Sequence, residues 1–337
     1  MKKTFELLSL ADKVKLLGRY QILESGIGCD HSATGIELCA SIEGPLEMTL
    51  FTTMEKAYCD SVYFTVYIDG ERQSDRLCAP IGKATVTVAD FAERGTHTVR
   101  IVKQNESNYN LCTLYTLSFD GELLDPPARK DKYIEYIGDS LSCGMGNLGK
   151  KGVPEPQTSR WEDVTLAYTY CSADELDADC SIISESGIGL SGSWFDPLFD
   201  FYLAWSYKRN KDVKYDFSRI PDLLVINLVT NDYYLNADLG ICSLEEVKEK
   251  TKEFIGFVRA CYGKDIPIVW VGRLVPLGEK YIKLIDEVIS ELGGEDAGIY
   301  RIDVPQSTLG AHGHPDVAGH TVAKDVLVSF IREKELL

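Results

Sequence analysis

Near residue 125 the hydrophobic pattern of this chain changes period, and that change sets a two-part layout. Before it, apolar and polar residues alternate over short runs: 46–51, 61–68, 84–88, 97–102 and 114–119. Turn signals such as Asp69-Gly70 and Asp120-Gly121 close some of these runs. After it, short β-branched runs alternate with longer segments of helical spacing. Between the two lies Asp125-Pro126-Pro127-Ala128-Arg129, whose prolines disfavour both helix and central strand. The pattern predicts a β-sandwich over residues 1–128 and an α/β domain over 129–337. At 337 residues, each part has enough chain to bury its own core.

In the second part, strands are expected at 133–137, 180–183, 223–228, 268–271 and 299–302. Helices are expected at 163–176, 243–262, 279–291 and from about Asp316, the last with Val317, Val322, Val326 and Phe330 facing inward. The near-continuous apolar run Leu223–Leu228 suits a strand covered on both faces. Alternating β and α units imply a mostly parallel sheet with helices on both faces.

Several function classes are disfavoured by composition. A net charge of −17 with no basic patch argues against a nucleic-acid partner. No run approaches eighteen uninterrupted apolar residues, so no membrane partner is expected. The basic start Met1-Lys2-Lys3 is followed by Glu6, Asp12, Lys13 and Lys15 rather than an apolar secretory core. The ten cysteines are scattered and form no CxxC pair, which reads as reduced thiols and a cytoplasmic setting. Nothing in the sequence reads the oligomeric state.

The chemistry collects at strand ends. Tyr133–Ile137 runs into Gly138-Asp139-Ser140, with Gly138 expected to permit a sharp turn. The next strand ends in Ser184-Glu185-Ser186-Gly187-Ile188-Gly189, and the third in Val229-Thr230-Asn231-Asp232. Far downstream sits His312-Gly313-His314-Pro315-Asp316. If the strands are parallel, these segments meet at one edge, where open α/β sheets bind ligands. A hydroxyl, an imidazole, a glycine N–H and an amide are the parts acyl transfer needs. The plainer alternatives are a helix-capping role for Ser140, an Asx turn at Asn231 and a small buried thiol at Cys143. His320 reads as structural, His312 as an exposed loop histidine, and His31 and His97 as residues of the β part without chemistry. Trp161, Trp194, Tyr233 and Tyr234 read equally as a sugar-stacking wall or as packing.

These blocks resemble the SGNH (GDSL-type) hydrolases, and more closely carbohydrate esterase family 2. The likeness extends to Tyr215-Asp216-Phe217-Ser218, Gly319-His320, Leu17-Gly18-Arg19 and the strand at His97-Thr98-Val99-Arg100. It implies a three-layer α/β/α, flavodoxin-like SGNH domain behind an N-terminal jelly roll. It also implies an acetyl esterase that acts on a carbohydrate through an acyl-enzyme and needs no cofactor or metal. Ser140 is then the nucleophile and His314 the base. The oxyanion donors are the N–H of Ser140, the N–H of Gly189 (with Gly187 as the alternative) and the amide of Asn231. Asp139, Trp194, Tyr233, Val229 and His312 are the candidate substrate contacts, and the partner is a small-molecule or oligosaccharide ester. Two positions depart from the family: Val229 stands where glycine is usual, and neither Ala311 nor His312 supplies an acid to orient His314. A carbohydrate binder without turnover, and an esterase or thioesterase for longer acyl groups, are the alternative readings.

Overall fold

The structure is a computed structural model. It describes every residue except Ala11, Pro154, Glu155 and Gln157, and of Asp238 only the backbone. The chain divides into two compact units, Met1–Arg129 with Pro156–Thr165, and Lys130–Glu155 with Leu166–Leu337. The short segment around residue 160 therefore belongs with the β part, although its sequence placed it with the α/β part. Asp163 explains this: its carboxylate is fully buried, accepts from Arg72 Nη2 at 2.7 Å and Gln104 Nε2 at 3.0 Å, and caps the Thr165 N–H at 2.9 Å. Those bonds hold residues 163–166 out of the helix expected over 163–176, which begins only at Tyr168.

In the first unit the strands are β1 (Lys2–Glu6), β2 (Lys15–Leu17), β3 (Gln21–Ile22), β4 (Ile27–Gly28) and β5 (Gly35–Thr52). They are followed by β6 (Ser61–Ile68), β7 (Glu71–Arg72), β8 (Leu77–Pro80), β9 (Gly82–Lys103) and β10 (Cys112–Leu123). All pair antiparallel in one ten-stranded sheet. The runs at 84–88 and 97–102 are two ends of the single 22-residue strand β9, which pairs along β5 with register breaks at Ile42/Gly44 and Leu46/Glu47. Bulges of this kind bend a long strand. Accordingly Ile36, Leu38 and Ala40 from one end of β5 and Leu46, Met48 and Leu50 from the other join one apolar core.

The second unit carries β11 (Lys132–Gly138), β12 (Ala178–Ser184), β13 (Leu223–Asn227), β14 (Ile268–Gly272) and β15 (Ile299–Asp303). They form a parallel sheet in the order β12-β11-β13-β14-β15. All residues of β13 and β14 are buried, as their apolar runs require. Its helices are α1 (Ser140–Cys143), α2 (Tyr168–Glu175), α3 (Leu198–Leu203), α4 (Tyr207–Asn210), α5 (Thr230–Leu239), α6 (Leu244–Tyr262), α7 (Glu279–Glu291) and α8 (Val317–Glu333). Ser243 and Glu246 close α6 with a capping box. Helix α8 is rotated from expectation: His320, Ala323, Leu327 and Ile331 face inward and Val322 is exposed. The stripe missed is anchored by a histidine, which a hydropathy pattern counts as polar. Among the described residues no helix is long and apolar enough to cross a membrane.

Candidate active site

Because β11 lies inside the sheet between β12 and β13, the turns after these strands and the loop before α8 converge. Gly138 ends β11 without a positive φ, so the turn expected of it does not use the left-handed freedom of glycine. It is required for space: a Cβ there would stand 2.1 Å from Ser142 Oγ and 2.9 Å from the Asn227 carbonyl. The chain then enters α1. Asp139, not Ser140, is the N-cap, and its Oδ1 accepts from the Leu141 N–H at 2.9 Å. Ser140 is thereby left as the first helical residue, with its N–H outside the intrahelical ladder and its hydroxyl available for other bonds.

The Ser140 hydroxyl meets His314 Nε2 at 2.8 Å. Backbone bonds fix the histidine: its N–H donates to Ala311 O at 3.1 Å, its carbonyl accepts from Gly310 at 2.8 Å, and Ala311 N–H donates to Gly146 O at 2.9 Å. Nδ1 is buried, and among the described residues no carboxylate bonds to it. Burial pushes the ring from 6.5 down to about 4, the nearby His312 ring adds to this, and the backbone of His312 and Ala311 acts in the opposite sense. The base is therefore a neutral imidazole over most of the pH range. His320 is buried against Tyr168, accepts its N–H at 3.3 Å through Nδ1, and takes no part in the cleft.

Two of the candidate oxyanion donors, the Asn231 amide and the Gly189 N–H, have partners in this structure. Asn231, in the first turn of α5, donates its amide to Ile188 O at 2.8 Å and to Asp139 Oδ2 at 3.2 Å. Gly189 donates its N–H to Ser193 Oγ at 3.0 Å, while Gly187 sits in a left-handed turn at φ 87° closed by Trp194 N–H on its carbonyl at 2.9 Å.

A cleft of about 290 Å³ opens here, lined by Ser140, Trp194, Asn231, Tyr234, His312 and His314 among others. Of the candidate substrate contacts, Trp194 and His312 line this cleft. Three other candidates for substrate contact are elsewhere. Tyr233 turns away from the cleft to pack edge-on against Tyr281, so Tyr234 takes its place. Asp139 is fully buried and acts as cap and partner of Asn231. Val229 lies in the core, 1% exposed. Trp161 falls in the first unit. Helical neighbours explain the tyrosine swap, since adjacent residues on α5 point about 100° apart and the sequence does not mark which faces the cleft.

Although it is β-branched, Val229 adopts the left-handed conformation, φ 78°, as N-cap of α5. The turn geometry is kept and the residue bears the strain, held by burial of its side chain. Val229→Gly is expected to be at least as stable as Val229→Ala. Both lose the buried isopropyl packing, but only glycine removes the strain. Thermal melting of the two variants checks this.

Comparison with known proteins gives a match for each of the two parts of the chain. Residues 17–127 match the family model for the carbohydrate esterase 2 N-terminal region, and residues 134–326 that for GDSL-like lipase/acylhydrolase. The cellulase/esterase CelE of Acetivibrio thermocellus is 28% identical over 276 residues, 74% of this chain and 32% of that protein. An acetylxylan esterase/glucomannan deacetylase of Cellvibrio japonicus is 30% identical over 156 residues, 44% of this chain and 43% of that one. The chain thus spans a third to under a half of these relatives. A family two carbohydrate esterase from Clostridium thermocellum, solved with cellohexaose, superposes with a TM-score of 0.85 at 25% identity, covering 96% of this chain and all of that one. The chain belongs to the GDSL-like lipase/acylhydrolase family, in the two-part form that pairs this domain with a carbohydrate esterase 2 N-terminal region.

Proposed function

We propose that this chain removes O-acetyl groups from a carbohydrate, using Ser140 as nucleophile and His314 as its base. The 2.8 Å contact between Ser140 Oγ and His314 Nε2 carries the reading. His314 takes the hydroxyl proton as Oγ attacks the acetyl carbonyl. The resulting oxyanion is held by the Ser140 N–H, the Asn231 amide and a glycine N–H of the 187–189 turn. His314 then delivers the proton to the departing sugar hydroxyl, leaving an acetyl-serine. Water, deprotonated by the same ring, attacks that ester and releases acetate, returning the proton to Ser140. Trp194 and Tyr234 at the cleft wall fit a sugar ring, and the sugar-active relatives support a carbohydrate substrate. The cytoplasmic setting belongs to the same proposal and rests on the scattered spacing of the ten cysteines.

The test is acetate release from acetylated xylo- and gluco-oligosaccharides, alongside p-nitrophenyl acetate and butyrate. Acetate release with a strong preference for the shorter ester supports the reading. A preference for butyrate moves it to longer acyl groups, and no turnover without phosphonate labelling of Ser140 leaves a binder.

His314 also gives the reading a pH signature. Only the neutral ring accepts the serine proton, so activity is lost as pH falls through the folded-state value. The acid limb of kcat/KM is expected near pH 4, where burial places the ring, instead of near 6.5. A limb at 6 to 7 in the rate profile would contradict a buried neutral base.

A further inference from the structure

We propose that Asp232 is a positioning residue for the oxyanion site, holding the 187–193 loop in the shape that presents its N–H groups; this rests on the esterase reading above. Asp232 sits in the first turn of α5, one residue after Asn231, and is fully buried. Its Oδ2 accepts from the Leu190 N–H at 2.9 Å. Its Oδ1 accepts from Ser191 N–H at 2.7 Å, Gly192 N–H at 3.1 Å and Ser191 Oγ at 3.0 Å. Consecutive N–H groups turned onto one carboxylate form an anion nest, and the start of α5 adds favourable field. Among the described residues no Lys or Arg pairs with it, so these donors are what holds the buried carboxyl group.

The grip reaches the proposed site through two contacts. A Cβ on Gly189 would stand 2.8 Å from Asp232 Oδ2 and 2.1 Å from Gly192 O, so the loop is wound onto the carboxylate at the glycine whose N–H is in question. Ile188 O, on the other side of that glycine, is held by Asn231 at 2.8 Å. Neighbouring residues of one rigid helical turn therefore fix both the amide donor and the loop donor, and with them their mutual distance. Asp232 touches neither substrate nor reacting atoms in this scheme, and its effect is on the alignment of those that do.

Asp232→Asn keeps the shape but replaces one acceptor oxygen by an NH₂ that faces either Leu190 N–H or the Ser191 and Gly192 donors. Hydrolysis of p-nitrophenyl acetate is expected to show kcat lowered about 10- to 100-fold, less than loss of a whole oxyanion donor, with KM changed less than threefold. The acid limb of the rate profile, set by His314, is expected to stay in place. Unchanged kcat in a folded Asp232→Asn protein overturns the proposal, as does a loss expressed only in KM. Amide hydrogen exchange on the wild type gives a readout independent of turnover and of whether the variant folds. The N–H groups of Leu190, Ser191 and Gly192 are expected to exchange as slowly as those of α5, and exchange at open-loop rates overturns the clamp. If the wild type hydrolyses no ester while these amides are protected, the esterase reading fails and the clamp does not.

Discussion

Replacing Ser140 with alanine is expected to lower acetyl-ester hydrolysis by about 10⁴- to 10⁶-fold, the range seen when a nucleophile acting with its base is removed. His314→Ala is expected to fall as far, and the double variant no further, because hydroxyl and imidazole act as one unit. The reason is the single bond between them, 2.8 Å from Oγ to Nε2. A serine hydroxyl at its ordinary pKa is a poor nucleophile, and this ring is the only base given to it in the proposed scheme. Stability should hardly change in Ser140→Ala: the side chain is small, Asp139 supplies the cap, and alanine is a good helix former at that position. Steady-state kinetics with matched melting curves check the expectation. Intact hydrolysis in a well-folded Ser140→Ala protein would place the nucleophile elsewhere.

What is absent from the dyad was readable before any coordinates, and what replaces it was not. The lack of an acid at 311 and 312 is a matter of residue identity. That Gly310, Ala311 and Gly146 pin the histidine through backbone bonds depends on a loop returning from far along the chain to α1. Main-chain bonds between distant loops leave no side-chain signature. The same divide runs through the fold. Long apolar runs such as 223–228 declared both their strand and its double burial, because hydrophobicity is written residue by residue. The short segment at 163–166 did not, since a buried Asp163 paired with Arg72 overrides local helical preference. Gly138 was legible as necessary but for a different reason: the pattern suggests a turn, while the structure shows a lack of room. Asp232 was visible only as part of a motif. Its grip on the loop at 190–192 depends on β12 and β13 ending at the same edge of the sheet, on either side of β11.

Asn231→Ala is the second large effect expected, a loss in kcat of about 10²- to 10³-fold with little change in KM. In the free protein the amide is shared between Ile188 O at 2.8 Å and Asp139 Oδ2 at 3.2 Å. The longer bond is the one an oxyanion can displace, because Asp139 keeps its Leu141 N–H bond through Oδ1 and shares its charge over two oxygens, while the tetrahedral oxygen carries full negative charge. The amide thus contributes chiefly once charge develops, which is the signature of a kcat effect. Asn231→Asp should be worse than alanine. It keeps the size, reverses the hydrogen-bond sense and sets a second carboxylate beside Asp139. Loss of the Ile188 contact also frees the loop, so part of the alanine effect is positional. Asp232→Asn separates the two contributions, since it loosens the loop and leaves the amide in place. If Asn231→Ala costs no more than Asp232→Asn, the amide is a strut. If it costs clearly more, the excess measures its contact with the oxyanion.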